Sequence, residues 1–308
     1  MKKPPKRVNF INIQNSHVVA AAGYRQGMVR TGYEQVIAQR TGDMFAVAAT
    51  SGGKVKQITD TGIIVIYEDG SEIGYELGRR FGSAAGLTIP HQLITEMKEG
   101  QKFKEGDIIS FNSNFFEKDL LNPSNIVMKS GIIVKTALME SSATFEDCSS
   151  ISLKTAALLS TKTTKVKNVI VDFKQSIHNL VKVGADVSSE DILCIIEDAV
   201  SAESNLFDKE SIDTLRILSA MTPQAKATGV VEKIEIFYHG DLEDMSQSLR
   251  ELTTTTNKLL AKRNKAIGKK AFTGQVDESY RIDGEALAID TLNIKFYITG
   301  DVSAGVGD

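Results

Sequence analysis

Apolar residues along this chain fall mostly in short runs of strand length, broken by turns rich in Gly and Asp. From Met44 the run Met44-Phe45-Ala46-Val47-Ala48-Ala49 leads into a turn at Ser51-Gly52-Gly53. Ile63-Ile64-Val65-Ile66-Tyr67 and Ile73-Gly74-Tyr75-Glu76-Leu77 flank Glu68-Asp69-Gly70-Ser71. Asp-Gly between two β-rich runs predicts a hairpin. Gly131 to Leu138 is also β-like, and Gly229 to Tyr238 and Thr291 to Ile298 alternate as strands do. One stretch has a helical period instead. From Met245 to about Ile267, Leu249, Leu252, Thr256, Leu259 and Arg263 step by three and four. Asp241 or Asp244 can cap its start, and its basic far end suits the helix dipole. The first 40 or so residues mix small, polar and basic types and read as loop-rich, and Ser204 to Leu218 reads as a loop or short helix.

A short phrase occurs twice. Glu99-Gly100 through Gly106-Asp107-Ile108-Ile109 parallels Val183-Gly184 through Glu190-Asp191-Ile192-Leu193, with the same Gly-to-Asp spacing. Physically this is a Gly turn, a short strand, a polar turn and an apolar strand entering a core. Such phrases suit compact β-barrels, sandwich-barrel hybrids and biotinyl or lipoyl carriers. Neither copy carries a modifiable Lys at the turn, which disfavours the carrier.

Composition narrows the classes. The chain has 308 residues, 42% hydrophobic and 24% charged, which is room for two or three domains of an ordinary globular protein. The net charge of −3 argues against a simple DNA-coating protein, and the absence of Trp removes indole stacking. The two cysteines, Cys148 and Cys194, lack zinc-ligand spacing and fit a reducing cytosol. No apolar run approaches the roughly 18 residues of a membrane span, and the basic start lacks the apolar stretch of a signal peptide. The basic residues from Lys258 to Lys270 suit either a solvated helix end or a surface facing nucleic acid.

Stand-alone catalytic motifs are missing. There is no GxSxG, Walker A loop or GxGxxG before a helix. None of the four histidines has a metal-ligand partner at helical or hairpin spacing. Phe145-Glu146-Asp147 follows the β-like run that ends at Leu138. Adjacent carboxylates after a strand can lean on a divalent metal, but they also suit a solvated turn or a helix cap.

The pieces, in order, resemble one family: the β-type large subunit of multisubunit DNA-directed RNA polymerase. Asn12 to Val19, then Met28-Val29-Arg30-Thr31-Gly32-Tyr33-Glu34, is similar to the family's fork-loop phrases N-M-Q-R-Q-A-V-P and L-V-G-T-G-M-E. Gly53-Lys54-Val55 to Val65 resembles its G-x-V … I-x-V segment, and Glu99 to Ile109 its V-x-x-G-D-x-V-x-x-G-D-I-L-A. Met128 to Asp147 resembles G-x-N-x-x-V-A-x-M-P-W-x-G-Y-N-F-E-D-A-I, aligned on Phe145-Glu146-Asp147 and without the Trp and Gly-Tyr-Asn. Asp191-Ile192-Leu193 and Gly229 to Ile234 are similar to the flap segment, and Ile294 to Asp308 to V-x-V-Y-x-A-x-x-R-x-I-x-x-G-D-K, without its Arg. The divergence resembles the split β subunits of large phages.

The resemblance implies a mainly β fold with some α. It would hold part of a double-psi β-barrel, a flap-like sandwich-barrel hybrid domain and one long helix. The implied order is a fork-loop-like segment at 1–43, a hybrid-binding or β-barrel half at 44–175, a flap-like domain with the helix at 176–282, and a return strand at 283–308. Glu146 and Asp147 would sit near the second catalytic metal. Lys6 or Arg7, with Gln14 and Arg25, would meet nucleotide or nucleic acid. Mg²⁺ would be held mainly by a β′-like partner. The other implied partners are the remaining β fragment, template DNA, product RNA, nucleoside triphosphates and a promoter-specificity factor, with no membrane. The expected location is cytoplasmic, in the host cytosol for a phage protein, or inside a virion. The family's phosphate-binding lysines would follow Gly307-Asp308, so the chain alone is expected to be inactive: a split, interrupted or truncated β subunit. The competing class is a non-catalytic β-barrel module that binds nucleic acid or protein.

Overall fold

A computed structural model of the protein describes residues 19–84, 87–138, 142, 149–198, 220–269 and 273–305. Among these, 40% are in strands and 15% in helices, so the fold is mainly β. They fall into two compact units. One comprises Met1–Thr163 with Ala266–Gly268 and Asp301–Asp308, the other Thr164–Lys265 with Lys269–Gly300.

In the first unit the predicted hairpin is present. Strands β1 (Ala46–Ala48), β2 (Gly53–Thr59), β3 (Gly62–Tyr67) and β4 (Glu72–Glu76) come in sequence, and β3 pairs with β4 through the Asp69-Gly70 turn. Gly70 takes a positive φ of 81°, and Asp69 Oδ1 accepts from the Ser71 N–H at 2.8 Å, which explains the residue choice. A second hairpin, β5 (Gly78–Ala84) with β6 (Leu87–Ile94), was not anticipated. Strands β7 (Lys102–Phe103), β8 (Ile108–Asn112), β9 (Phe116–Lys118) and β10 (Ile126–Met128) follow. They give two sheets, β4-β3-β2-β7 and β1-β8-β6 with β5 on β6, beside the β9–β10 ribbon. Val55, Ile63, Val65 and Ile109, all fully buried, lie at the heart of one core, and Phe115 and Phe116 anchor another.

The loop-rich reading of the first 40 residues is corrected at its end, where α1 spans Tyr33–Arg40. Its entry uses Thr31-Gly32-Tyr33-Glu34. The Glu34 carboxylate accepts from the Thr31 and Gly32 N–H groups, and Thr31 Oγ1 accepts from the Tyr33 N–H. Gly131–Leu138 is corrected too. It makes one bridge, Gly131 to Arg25, and no strand, and Ile133, Val134 and Leu138 are exposed. A β-like composition does not make a strand where no neighbouring segment supplies the ladder. A short helix α2 (Leu153–Leu158) follows, capped by Ser152.

The second unit is built on β11 (Thr161–Asp172, its body from Thr164), β13 (Asp186–Val187), β15 (Gly229–His239) and β18 (Thr291–Val302), in the sheet order β11-β18-β15-β13. Thr164 and Thr299 share a buried hydroxyl–hydroxyl bond of 2.7 Å. Strands β12 (Ser176–His178) and β14 (Ile195–Glu197) form a small ribbon, as do β16 (Arg281–Ile282) and β17 (Glu285–Ala286). Val171, Leu193, Val231, Ile236 and Phe296 pack in one core. The predicted long helix is α3, Gln247–Ala266. Asp241 and Asp244 do not cap it. They flank and end a 3₁₀ turn at Leu242–Asp244, and Asp241 makes no side-chain cap bond. The leucine stripe is buried only at its start: Leu249 and Thr253 are fully covered, while Leu259 is exposed. None of these sheets closes into a barrel among the described residues.

The repeated phrase is a repeated structure. Each copy docks on a glycine-led strand, with Gly53 opposite Phe103 in the first unit and Gly229 opposite Val187 in the second. Gly100 and Gly184 both take positive φ, 78° and 93°. Their N–H groups donate to Val55 O (2.9 Å) and Val231 O (2.8 Å), and the N–H groups of Val55 and Val231 donate back to Gln101 O and Ala185 O. Asp107 Oδ2 accepts from the Lys104 N–H (2.8 Å), as Asp191 Oδ2 does from the Ser188 N–H (2.7 Å). Both glycine-led strands shift register just after the buried valine.

Candidate functional site

Of the residues that the family resemblance picks out, Glu146, Asp147, Lys6, Arg7 and Gln14 lie outside the described residues. Arg25 lies inside them, on an irregular strap that runs from Ala20 to Arg30. Its N–H donates to Gly131 O (2.8 Å), and its carbonyl accepts from the Ser130 N–H (2.9 Å). Its side chain is exposed. Next to it Gln26 is buried and fully used. Its backbone and amide N–H groups reach Glu117 Oε1 (2.8 and 3.0 Å), its amide also donates to Lys118 O, and its Oε1 accepts from the Leu120 N–H. Arg30 pairs with the almost covered Asp119 at 2.9 Å. The Leu121 N–H and then the Arg30 guanidinium hold the Asp119 carboxyl below the usual range. The strap is therefore pinned on both sides of Arg25, while the guanidinium itself is left to solvent.

The root of this strap borders a cavity of about 330 Å³ within the first unit. Ala20, Ala21, Ala22, Ile89 and Pro90 give it an apolar side. Three cations line it: Arg79 from β5, Lys129 just after β10, and Lys162 at the start of β11. Asp301 is the one carboxylate among the lining residues, and it lies 3.9 Å from Lys162 in an exposed pair. Lys129 is held by a bond from its Nζ to Ser113 O (2.7 Å). Burial lowers the pKa of this ammonium, and the Glu117 charge works the other way. The lining hydroxyls are already committed as donors. Ser113 Oγ donates to Gln92 O, Ser160 Oγ to Ala157 O, and Thr161 Oγ1 to Ala20 O.

Behind the cavity wall, His91 is buried and shares a 2.8 Å bond between its Nδ1 and the Asn112 amide. Gly82 leaves room for its ring, since a Cβ there would lie 2.7 Å from His91 Nε2. Burial, with the charges of Arg80 and Arg79, pushes the imidazole down to about 4. It is a neutral structural residue at physiological pH.

No protein-family model and no curated protein sequence matches this chain. No group of three or more His, Cys, Asp and Glu able to hold a metal occurs among the described residues, and no helix there is long and apolar enough to cross a membrane. The sequence reading missed Arg79, Lys129 and Lys162 as neighbours. Arg79-Arg80 in a Gly-bounded run and Lys129 just before the Gly131 phrase were the available signals. Nothing local says that they meet.

Proposed function

We propose that this chain is a portion of the β-type large subunit of a multisubunit DNA-directed RNA polymerase, divergent and phage-like. The carrying observation is collinearity. Fork-loop, strand, Gly-Asp, Phe-Glu-Asp, flap and return-strand phrases follow one another in family order along the whole sequence. The Arg25–Gly131 bonding supports the same reading, because it joins the fork-loop phrase to the segment that leads to Phe145-Glu146-Asp147. In this reading the first unit contributes to part of a double-psi β-barrel and to hybrid contacts, and the second is a flap-like sandwich-barrel hybrid with its helix.

Nucleotidyl transfer needs positive charge and metal around the triphosphate and the attacking oxygen. The β′-like partner would hold Mg²⁺ mainly through its own residues, and the metal would supply charge to the triphosphate. Glu146 and Asp147 would help orient the site near the second metal, and Lys6 or Arg7, Gln14 and Arg25 would contact nucleotide or nucleic acid. The test is reconstitution with the remaining β fragment and the β′-like subunit, followed by single-nucleotide addition. The isolated chain should make no RNA. In the assembled enzyme, Glu146→Ala or Asp147→Ala should slow addition at least about tenfold, or about 1.4 kcal/mol of transition-state stabilisation. Wild-type rates from both variants in an intact complex would remove that role. Failure of the chain to assemble with either subunit would remove the polymerase reading and leave a binding module.

A further inference from the structure

The cavity beside the strap has no part in the roles given above, and its charges are unusual for the molecule. The whole chain is net negative, yet three cations and one carboxylate line this space. Drawing Lys129 half out of water costs free energy, which the Ser113 carbonyl and the Glu117 charge offset in part. An anion bound in the cavity would add a direct partner for the ammonium. Because the lining hydroxyls spend their protons on backbone carbonyls, they are not the groups that would hold such an anion. Recognition falls instead on a guanidinium fork and two ammonium groups, the combination that suits a multiply charged tetrahedral oxyanion better than a single carboxylate. The apolar side made by Ala20 to Ala22 with Ile89 and Pro90 offers contact to a carbon skeleton. The volume of about 330 Å³ is at the small end for an organic ligand.

We propose that this cavity binds a phosphate ester, with the phosphate on Arg79 and Lys129, Lys162 at its rim, and the organic body against the alanine–proline side. The assignment goes beyond the polymerase reading and does not depend on it, since it rests on the cavity's own residues. Two sources share this chemistry: a free nucleotide, or one phosphate of a nucleic-acid backbone.

The experiment titrates the full chain with three probes: inorganic phosphate, uridine 5′-triphosphate, and a fluorescent single-stranded RNA ten-mer. Binding of the triphosphate without the ten-mer would identify a nucleotide site. Binding of the ten-mer with a steep salt dependence, without the triphosphate, would identify a backbone site. In either case Lys129→Gln should weaken the productive probe at least tenfold. Lys162→Gln should weaken it three- to fivefold. Because that side chain is exposed, this variant keeps the test valid if Lys129→Gln fails to fold. Asp301→Asn should strengthen binding. No binding of any probe at 10 mM phosphate groups (roughly the weakest affinity worth calling a site), or binding that neither lysine variant alters, overturns the proposal. Loss of polymerase assembly in the reconstitution above would leave these titrations unchanged.

Discussion

The two glycine-led modules use one hydrogen-bond plan with different fillings. In the first, Gly53 lies beneath the Phe103 ring, which meets Tyr67 edge-on at a centroid distance of 5.7 Å. In the second, Val187 takes the place of Phe103, and the crowding on Gly229 comes from backbone alone. A Cβ on Gly229 would lie 2.2 Å from Thr299 O, and one on Gly53 2.5 Å from Ile66 O. What the modules share is therefore backbone: a turn glycine, a strand-leading glycine, a buried valine, a bulge and an aspartate that closes a turn. Side-chain volume is free to differ, because each core repacks around the same ladder.

The comparison can be broken most severely at the glycines. Gly229 also has a φ of 153°, so Gly229→Ala adds conformational strain to the clash and should destabilise the second unit by about 4 kcal/mol. Gly53→Ala, with the clash alone, should cost the first unit about 2–3 kcal/mol. Urea denaturation followed by hydrogen exchange in each unit measures both. Small losses in both would show that neither module depends on the close approach.

Acid separates the units next. His91 has a folded pKa of about 4, below its ordinary 6.5. Its contribution is therefore complete above pH 6.5 and is lost as the pH falls through 4. The first unit should lose up to about 3 kcal/mol over that range. Exchange of β6 and β8 amides against pH reads this, and His91→Gln should flatten the profile. A profile identical in the variant would assign the effect elsewhere.

The smallest effect sharpens the equivalence. Asp107→Ala and Asp191→Ala each remove one side-chain to backbone bond in matching turns, and each should cost about 1 kcal/mol. Thermal melts of the two variants should agree. A loss confined to one would mean that only one turn depends on its aspartate.

What could be read from the sequence was local chemistry. Asp69-Gly70 specifies its turn through Gly70's φ and one short bond, so the hairpin was legible. The long helix carries its period over enough turns to be read, although not which part of it is buried. The repeat was visible as a phrase, but its partner strands were not, because Gly53 and Gly229 sit on opposite sides of their phrases in chain order. The short helix at Tyr33–Arg40 carried a Thr-x-x-Glu start that went unread among polar residues. Gly131–Leu138 misled because a β-like run of apolar residues does not say whether a neighbouring strand exists to pair with it. The cavity was beyond local reading altogether. Lys129 is held by Ser113, Thr161 by Ala20, and no periodicity links those positions.

The opposite chain order of the two modules sets different timetables for a chain leaving the ribosome. In the first, β2, β3 and β7 have all been made once Phe103 is added, so the module can close early, as soon as that segment emerges. In the second, the Gly184–Asp191 phrase is made first and must wait for β15, and β15 must wait for β18 at Thr291–Val302. Until then Val187, Leu193 and Val231 lack the part of their cover that β18 supplies, and non-local pairing of this kind closes slowly. The nascent second half therefore carries a partly covered apolar core until β18 is made, the interval in which a chaperone has something to hold.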